Sequence, residues 1–105
     1  MLEILHELNS FKLRDKANDI IANASYSFAT GVNGDLLILF HDDFVREDYR
    51  NQGIYKCLFE ARLAFIKATF KLCIVEAYCN KNSLHTYLKH NFIKDEDVTL
   101  VRLTI

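Results

Sequence analysis

Proline is absent from this sequence, so one of the usual markers of loops and helix ends is missing. No apolar run approaches the roughly 18 residues of a membrane span, and none is expected here. Basic blocks are also missing. The chain sets 13 Lys and Arg against 14 Asp and Glu, a formal net charge of -1, which gives no footing for a nucleic-acid groove. Cysteine is scarce: Cys57, Cys73 and Cys79 form no C-x-x-C pair. An odd count without that spacing reads as reduced thiols of a cytosolic protein, not a disulfide framework or a metal centre. The opening Met1-Leu2-Glu3-Ile4-Leu5 lacks the basic start and long apolar stretch of a signal peptide, so a cytoplasmic location is expected.

What is present is an ordinary globular balance, 50% hydrophobic and 26% charged over 105 residues. That length suits one domain spanning residues 1–105, with no repeat or linker. A chain this size buries only about two-thirds of its unfolded surface, so a ligand or a second subunit would add to a thin stability margin. A homodimer is compatible with that margin.

Hydrophobic spacing outlines the elements. The first residues fit strand and helix equally: Leu2, Ile4, His6 and Leu8 alternate, while Leu2, Leu5 and Leu8 step by three. Leu13, Ala17, Ile20, Ile21 and Ala24 recur at helical spacing, which predicts a helix over Phe11 to Asn23 with Ser10 as N-cap. Tyr26 to Val32 and Leu36 to Val45 flank Asn33-Gly34, a hairpin signal in which both turn residues take positive φ. The unbroken run Leu36-Leu37-Ile38-Leu39-Phe40 predicts a strand inside a sheet. Ile54, Leu58, Ala61, Phe65 and Ala68 line one face of a long helix. Leu72 to Cys79 reads as a buried strand, Ser83 to His90 as a short helix, and Thr99 to Ile105 as an alternating, antiparallel closing strand. The sum is an α/β layered domain with a mixed sheet.

One junction carries chemistry: Phe44-Val45-Arg46-Glu47-Asp48-Tyr49-Arg50-Asn51-Gln52-Gly53-Ile54-Tyr55. A buried strand gives way to a polar loop, and Gly53 opens the long helix. First-turn amides lack partners inside a helix and, with its dipole, attract anions. Gly53 has no Cβ to keep a phosphate away, and Arg50 adds a charged donor. The chemistry is a phosphate or pyrophosphate site, although a strand, a one-glycine loop and a helix also occur in proteins that bind nothing.

The same run resembles the acetyl-CoA signature of the GCN5-related N-acetyltransferases: Val, four residues, Arg or Gln, two residues, Gly, one residue, Gly or Ala. Val45, Arg50 and Gly53 match in spacing, Tyr49 stands where an aromatic is frequent, and Ile54 and Leu58 match apolar helix positions. The last position departs, with Tyr55 in place of Gly or Ala. A second match follows in Asn80, Ser83, Tyr87 and Asn91-Phe92, with Asn91 for the usual Gly; Asn is the side chain that best tolerates a left-handed helix end. The resemblance covers roughly Asp35 to Phe92. It implies the acyl-CoA N-acyltransferase fold, α+β with a mixed central sheet flanked by helices. The family's N-terminal strand and two helices are cut here to room for about one helix.

The resemblance further implies direct acetyl transfer from acetyl-CoA to an amine of a protein, peptide or small molecule. Phe44, Val45, Arg50, Asn51, Gln52, Gly53, Ile54, Tyr55, Asn80 and Ser83 are the implied cofactor-binding residues. Backbone N–H near Val45 would polarise the thioester oxygen. Tyr87 matches the general acid for the leaving thiolate, and it also suits a plain core tyrosine. For the base, strand alternation puts Leu39, His41, Asp43 and Val45 on one face. His41 is the first candidate, since an imidazole ordinarily titrates near neutrality; Asp43 is the second and water the third. His6, His85 and His90 read as surface or cap residues, and the cysteines as small core residues. Glu76 is out of place in an apolar strand. The competing reading is a catalytically inactive module of the same fold that works by binding a protein.

Overall fold

In the computed structural model, which describes residues 3–94 and 100–105, the chain forms strands β1 (Ile4–Glu7), β2 (Ser10–Arg14), β3 (Ile20–Thr30), β4 (Leu36–Val45), β5 (Ile74–Tyr78), β6 (Ile93–Lys94) and β7 (Leu100–Thr104). Helix α1 (Ile54–Thr69) lies between β4 and β5 in the chain, and α2 (Lys81–Lys89) follows β5. The strands join in the order β1-β2-β3-β4-β5-β7-β6. Strand β4 runs parallel to β5, while β1 with β2, β2 with β3, β5 with β7 and β6 with β7 are antiparallel. This is the expected α+β arrangement, a mixed sheet flanked by helices. No helix among the described residues is long and apolar enough to cross a membrane. The chain divides into two compact units: the residues up to Tyr26 with Asp42–Thr69, and Ser27–His41 with the residues from Phe70 onward.

In the first unit Asp15 decides the course of the chain. Its Oδ1 accepts from Ala17 N at 2.9 Å and Asp19 N at 3.0 Å, its backbone pairs with Asn18 and Asp19, and Asn18 takes φ 69°. An aspartate that binds the backbone ahead of it forms a turn, not a helix. The helix expected over Phe11 to Asn23 is therefore two strands, β2 and β3, joined by that turn. Ser10 opens β2 rather than capping a helix, and its Oγ meets Ser25 Oγ at 2.6 Å. Phe11 and Leu13 are buried with Lys12 between them, a period of two. Of the undecided opening residues, Ile4–Glu7 form β1, whose hairpin with β2 turns at Leu8 (φ 53°), and Leu2 lies outside the described residues. Among the described residues no helix precedes β4, so the N-terminal region holds three strands where one helix was expected.

Helix α1 also differs in orientation. Its buried residues are Leu58, Phe59, Arg62, Leu63 and Ile66, a face turned from the expected stripe of Ile54, Leu58, Ala61, Phe65 and Ala68. Arg62 sits in the middle of the buried face, and a count of apolar residues alone passes over it. Phe65 still packs, with its ring 5.9 Å from Phe11, 5.8 Å from Tyr26 and 4.5 Å from His6. His6 stacks on Phe11 and bonds the Tyr26 hydroxyl at 2.9 Å. Burial pushes the Tyr26 hydroxyl above the usual tyrosine range.

In the second unit the turn between β3 and β4 spans Gly31 to Asp35, closed by Gly31 N to Asp35 O at 2.8 Å. Gly34 supplies the left-handed residue (φ 82°); Asn33 does not share that conformation, contrary to the two-residue expectation. Strand β5 has β4 on one side and β7 on the other, and buries Val75 and Ala77. Glu76 faces Arg102 across the β5–β7 pair, with Arg102 Nε 2.7 Å from Glu76 Oε2. That partner explains a carboxylate in an apolar strand. The closing strand is antiparallel as expected; Thr99, its expected first residue, lies outside the described residues.

Candidate functional site

The alternation that puts His41 and Asp43 on one face of β4 fails at Asp42, which takes φ 56°. One left-handed residue within a strand breaks the period of two. The side-chain amide of Asn23 donates to the Asp42 carbonyl at 2.9 Å and to Ser25 Oγ at 2.8 Å, which fixes the irregularity. Beyond it, Asp43 meets α1. Arg62 Nη1 donates to Asp43 Oδ1 at 2.6 Å and Nη2 to Oδ2 at 2.9 Å, a two-pronged pair. Nη1 also donates to the Ser25 carbonyl at 2.9 Å. The guanidinium lies over the Phe59 ring, 5.6 Å from its centroid. Tyr55 completes the group, its hydroxyl 3.2 Å from Asp43 Oδ2. Arg62 is fully buried and the Asp43 side chain 18% exposed, so both carboxylate oxygens are engaged by groups of the fold.

From Val45 the chain enters the loop. Arg46 N donates to Ile21 O at 2.7 Å, and its guanidinium grips Asp48 at 2.8 and 3.0 Å and lies over Tyr49. Those hydrogen bonds hold the Asp48 carboxyl below its usual range. A 3₁₀ turn, Glu47–Tyr49, leads to Arg50, whose Nε donates to the Val45 carbonyl at 2.9 Å. That bond ties the loop to the strand end it left. Asn51 (φ 64°) and Gly53 (φ 75°) are both left-handed, with exposed Gln52 between them. A Cβ built on Gly53 would meet no atom within 4 Å. Open space therefore lies beside the residue that leads into α1, the end at which a helix attracts anions. Ile54 is half-buried and Phe44 46% exposed.

The second unit holds the other implied residues. Asn80 Oδ1 accepts from Ser83 N at 3.0 Å, and Ser83 Oγ accepts from Asn80 N at 3.3 Å, a capping box at the start of α2. The three-residue spacing thus has a structural role that the sequence reading missed, worth about 1 kcal/mol. Tyr87 is buried and meets Phe92 edge-on, with ring centroids 5.0 Å apart. Asn91 takes φ 70° just after α2, the left-handed end that its place in the resemblance requires. His90 caps α2, with Nδ1 2.8 Å from the Thr86 carbonyl. His41 is exposed.

The described residues contain no cluster of three or more His, Cys, Asp and Glu able to hold a metal. Burial pushes the thiols of Cys73 and Cys79 up, with the Lys94 charge opposing this at Cys79, while Cys57 lies exposed on α1. A thiolate is the reactive form. Titration of the native chain with a chromogenic disulfide near neutral pH should therefore label Cys57 rapidly and the other two only on unfolding. Rapid labelling of all three would contradict this burial.

No family model and no curated protein matches this chain. Solved structures do. An acetyltransferase of Trypanosoma brucei aligns at TM-score 0.69 and 21% identity over 83% of this chain and 63% of its own. The Escherichia coli GNAT-family N-acetyltransferase YhbS, in complex with CoA, aligns at 0.71 and 13% over 90% and 57%. Arabidopsis thaliana Naa50, in complex with the bisubstrate analogue CoA-Ac-MVNAL, aligns at 0.70 and 13% over 91% and 72%. This chain therefore spans less than two-thirds of the trypanosomal and E. coli proteins. With its mixed sheet, its left-handed loop before α1 and these alignments together, the chain has the fold of the GCN5-related N-acetyltransferases.

Proposed function

We propose that this chain is an acetyl-CoA-dependent N-acetyltransferase that passes the acetyl group directly to an amine of a peptide, protein or small molecule. The observation that carries the reading is Gly53, left-handed and open to solvent at the head of α1, in a fold shared with proteins crystallised with CoA. Acetyl-CoA would supply the activated acyl group. The amides of the first turn of α1 and the Arg50 guanidinium would hold its diphosphate, with Asn51 and Gln52 shaping the loop. Amides near Val45 would bind the thioester oxygen. Tyr87 would return a proton to the leaving thiolate. Asp43 is occupied by Arg62 and Tyr55, so the proton of the amine falls to His41 or to water.

The test is transfer of radiolabelled acetyl from acetyl-CoA to peptides with a free α-amine or lysine and to small amines. No turnover with any of them would reject the enzyme and favour a binding module. Where turnover is seen, Tyr87→Phe should lower kcat about a hundredfold with little change in KM, near the low end for a general acid because a thiolate leaves readily. An unchanged kcat would remove Tyr87 from the chemistry.

A further inference from the structure

The matching family motif carries Gly or Ala where this chain carries Tyr55, in the first turn of α1. A phenol ring there has two courses. It can swing over the first-turn amides, or it can fold back along the helix. The second course is the one taken. The Tyr55 hydroxyl reaches Asp43 Oδ2 at 3.2 Å, and the ring lies 6.0 Å from that of Phe59, one turn on, at a tilt of 57°. With the ring so placed, the space around Gly53 stays open.

The acceptor of that hydrogen bond is itself immobilised. Asp43 is held at both oxygens by Arg62, Arg62 has a fully buried side chain bonded to the Ser25 carbonyl, and Asp43 is turned toward α1 by the left-handed residue before it. A bidentate pair to a rigid partner leaves the carboxylate little rotational freedom. The chain Arg62, Asp43, Tyr55 is thus a series of hydrogen bonds from the buried face of α1 to its first turn, along which order passes outward.

We propose that Tyr55 is a positioning residue whose hydroxyl, tethered to the Asp43 carboxylate that Arg62 fixes, keeps its ring off the first-turn amides and so keeps the diphosphate cradle open. The assignment rests on the proposed acetyl-CoA reading and gives Asp43 a task other than proton abstraction. It also accounts for a bulky residue at a position where the motif is small.

A double-mutant cycle read by calorimetric titration with CoA tests it. Tyr55→Phe and Asp43→Asn should each weaken CoA about fivefold to tenfold, as expected for loss of one part-buried hydrogen bond, and the double variant should be no weaker than the poorer single one. In a Tyr55→Ala background, which restores the small residue, adding Asp43→Asn should change affinity by less than about twofold. Equal CoA affinity for wild type and Tyr55→Phe overturns the tether, as does an Asp43→Asn effect of the same size in both backgrounds. Thermal melts without ligand give the same cycle independently of CoA. Non-additive melting temperatures support the tether and additive ones count against it. A wild-type chain that takes up no CoA but shows the coupling in melts would sink the enzyme reading while the hydrogen-bonded chain stands.

Discussion

Gly53→Val should reduce CoA affinity by at least about a hundredfold, close to 3 kcal/mol. Two effects act together. The residue sits at φ 75°, where an L side chain costs about 1–2 kcal/mol and a β-branched one is least tolerated. The new methyls would also enter space that the protein leaves empty, the space through which a diphosphate would approach the amides. Gly34→Val is the matched control. Gly34 has φ 82° and equally open surroundings, so its backbone penalty is similar, but it lies in the β3–β4 turn. Both variants should melt earlier than wild type, and only Gly53→Val should lose CoA. At a ligand concentration of about 100 Kd, binding adds roughly 2.7 kcal/mol, which moves the melting point of a small domain by about 10 °C. Wild type and Gly34→Val should show that shift and Gly53→Val should not. Undiminished CoA binding by Gly53→Val would end the enzyme assignment.

Arg62→Met should be the most damaging change to stability, at about 3 kcal/mol, toward the lower end for a broken buried pair because Asp43 keeps some access to water. The methionine fills most of the volume but removes the guanidinium donors from the Asp43 carboxylate and the Ser25 carbonyl. A domain of this size has only about 5–10 kcal/mol in total. Arg62→Lys should rescue little, because one ammonium cannot span both carboxylate oxygens and the Ser25 carbonyl with the fork that a guanidinium provides. Adding Asp43→Asn to Arg62→Met should recover at least half of the loss by removing the part-buried charge that Arg62→Met leaves without its guanidinium. Urea denaturation measures each step. A loss below about 1 kcal/mol for Arg62→Met would show that the pair carries little of the stability.

The elements from β4 to α2 follow local rules that leave a trace in sequence. Leu36 to Phe40 is too apolar for an edge, Asn33-Gly34 marks the turn before it, and Gly53 stands where the loop must become left-handed. The N-terminal third was misread because Leu13, Ala17, Ile20, Ile21 and Ala24 satisfy a helical period by chance. The cluster Asp15-Lys16-Ala17-Asn18-Asp19 is a turn signal that the helical period does not take into account. Asn80 and Ser83 show another limit. Their spacing fits both a family signature and a capping box, and only the geometry shows the two side chains bonded to each other.

The sequence by itself determined the order of the later elements, the left-handed glycine at the head of α1 and the asparagine that ends α2. Each follows from interactions within a few residues or from the limits on a single φ. The tertiary structure decided that Asp42 breaks the strand, that α1 buries an arginine and that Asp43 pairs with it. Those outcomes depend on groups brought together from distant positions, Asn23 with Asp42 and Arg62 with Asp43, both 19 residues apart. Burial of a charge is favourable only when its partner arrives, and no local pattern records that arrival.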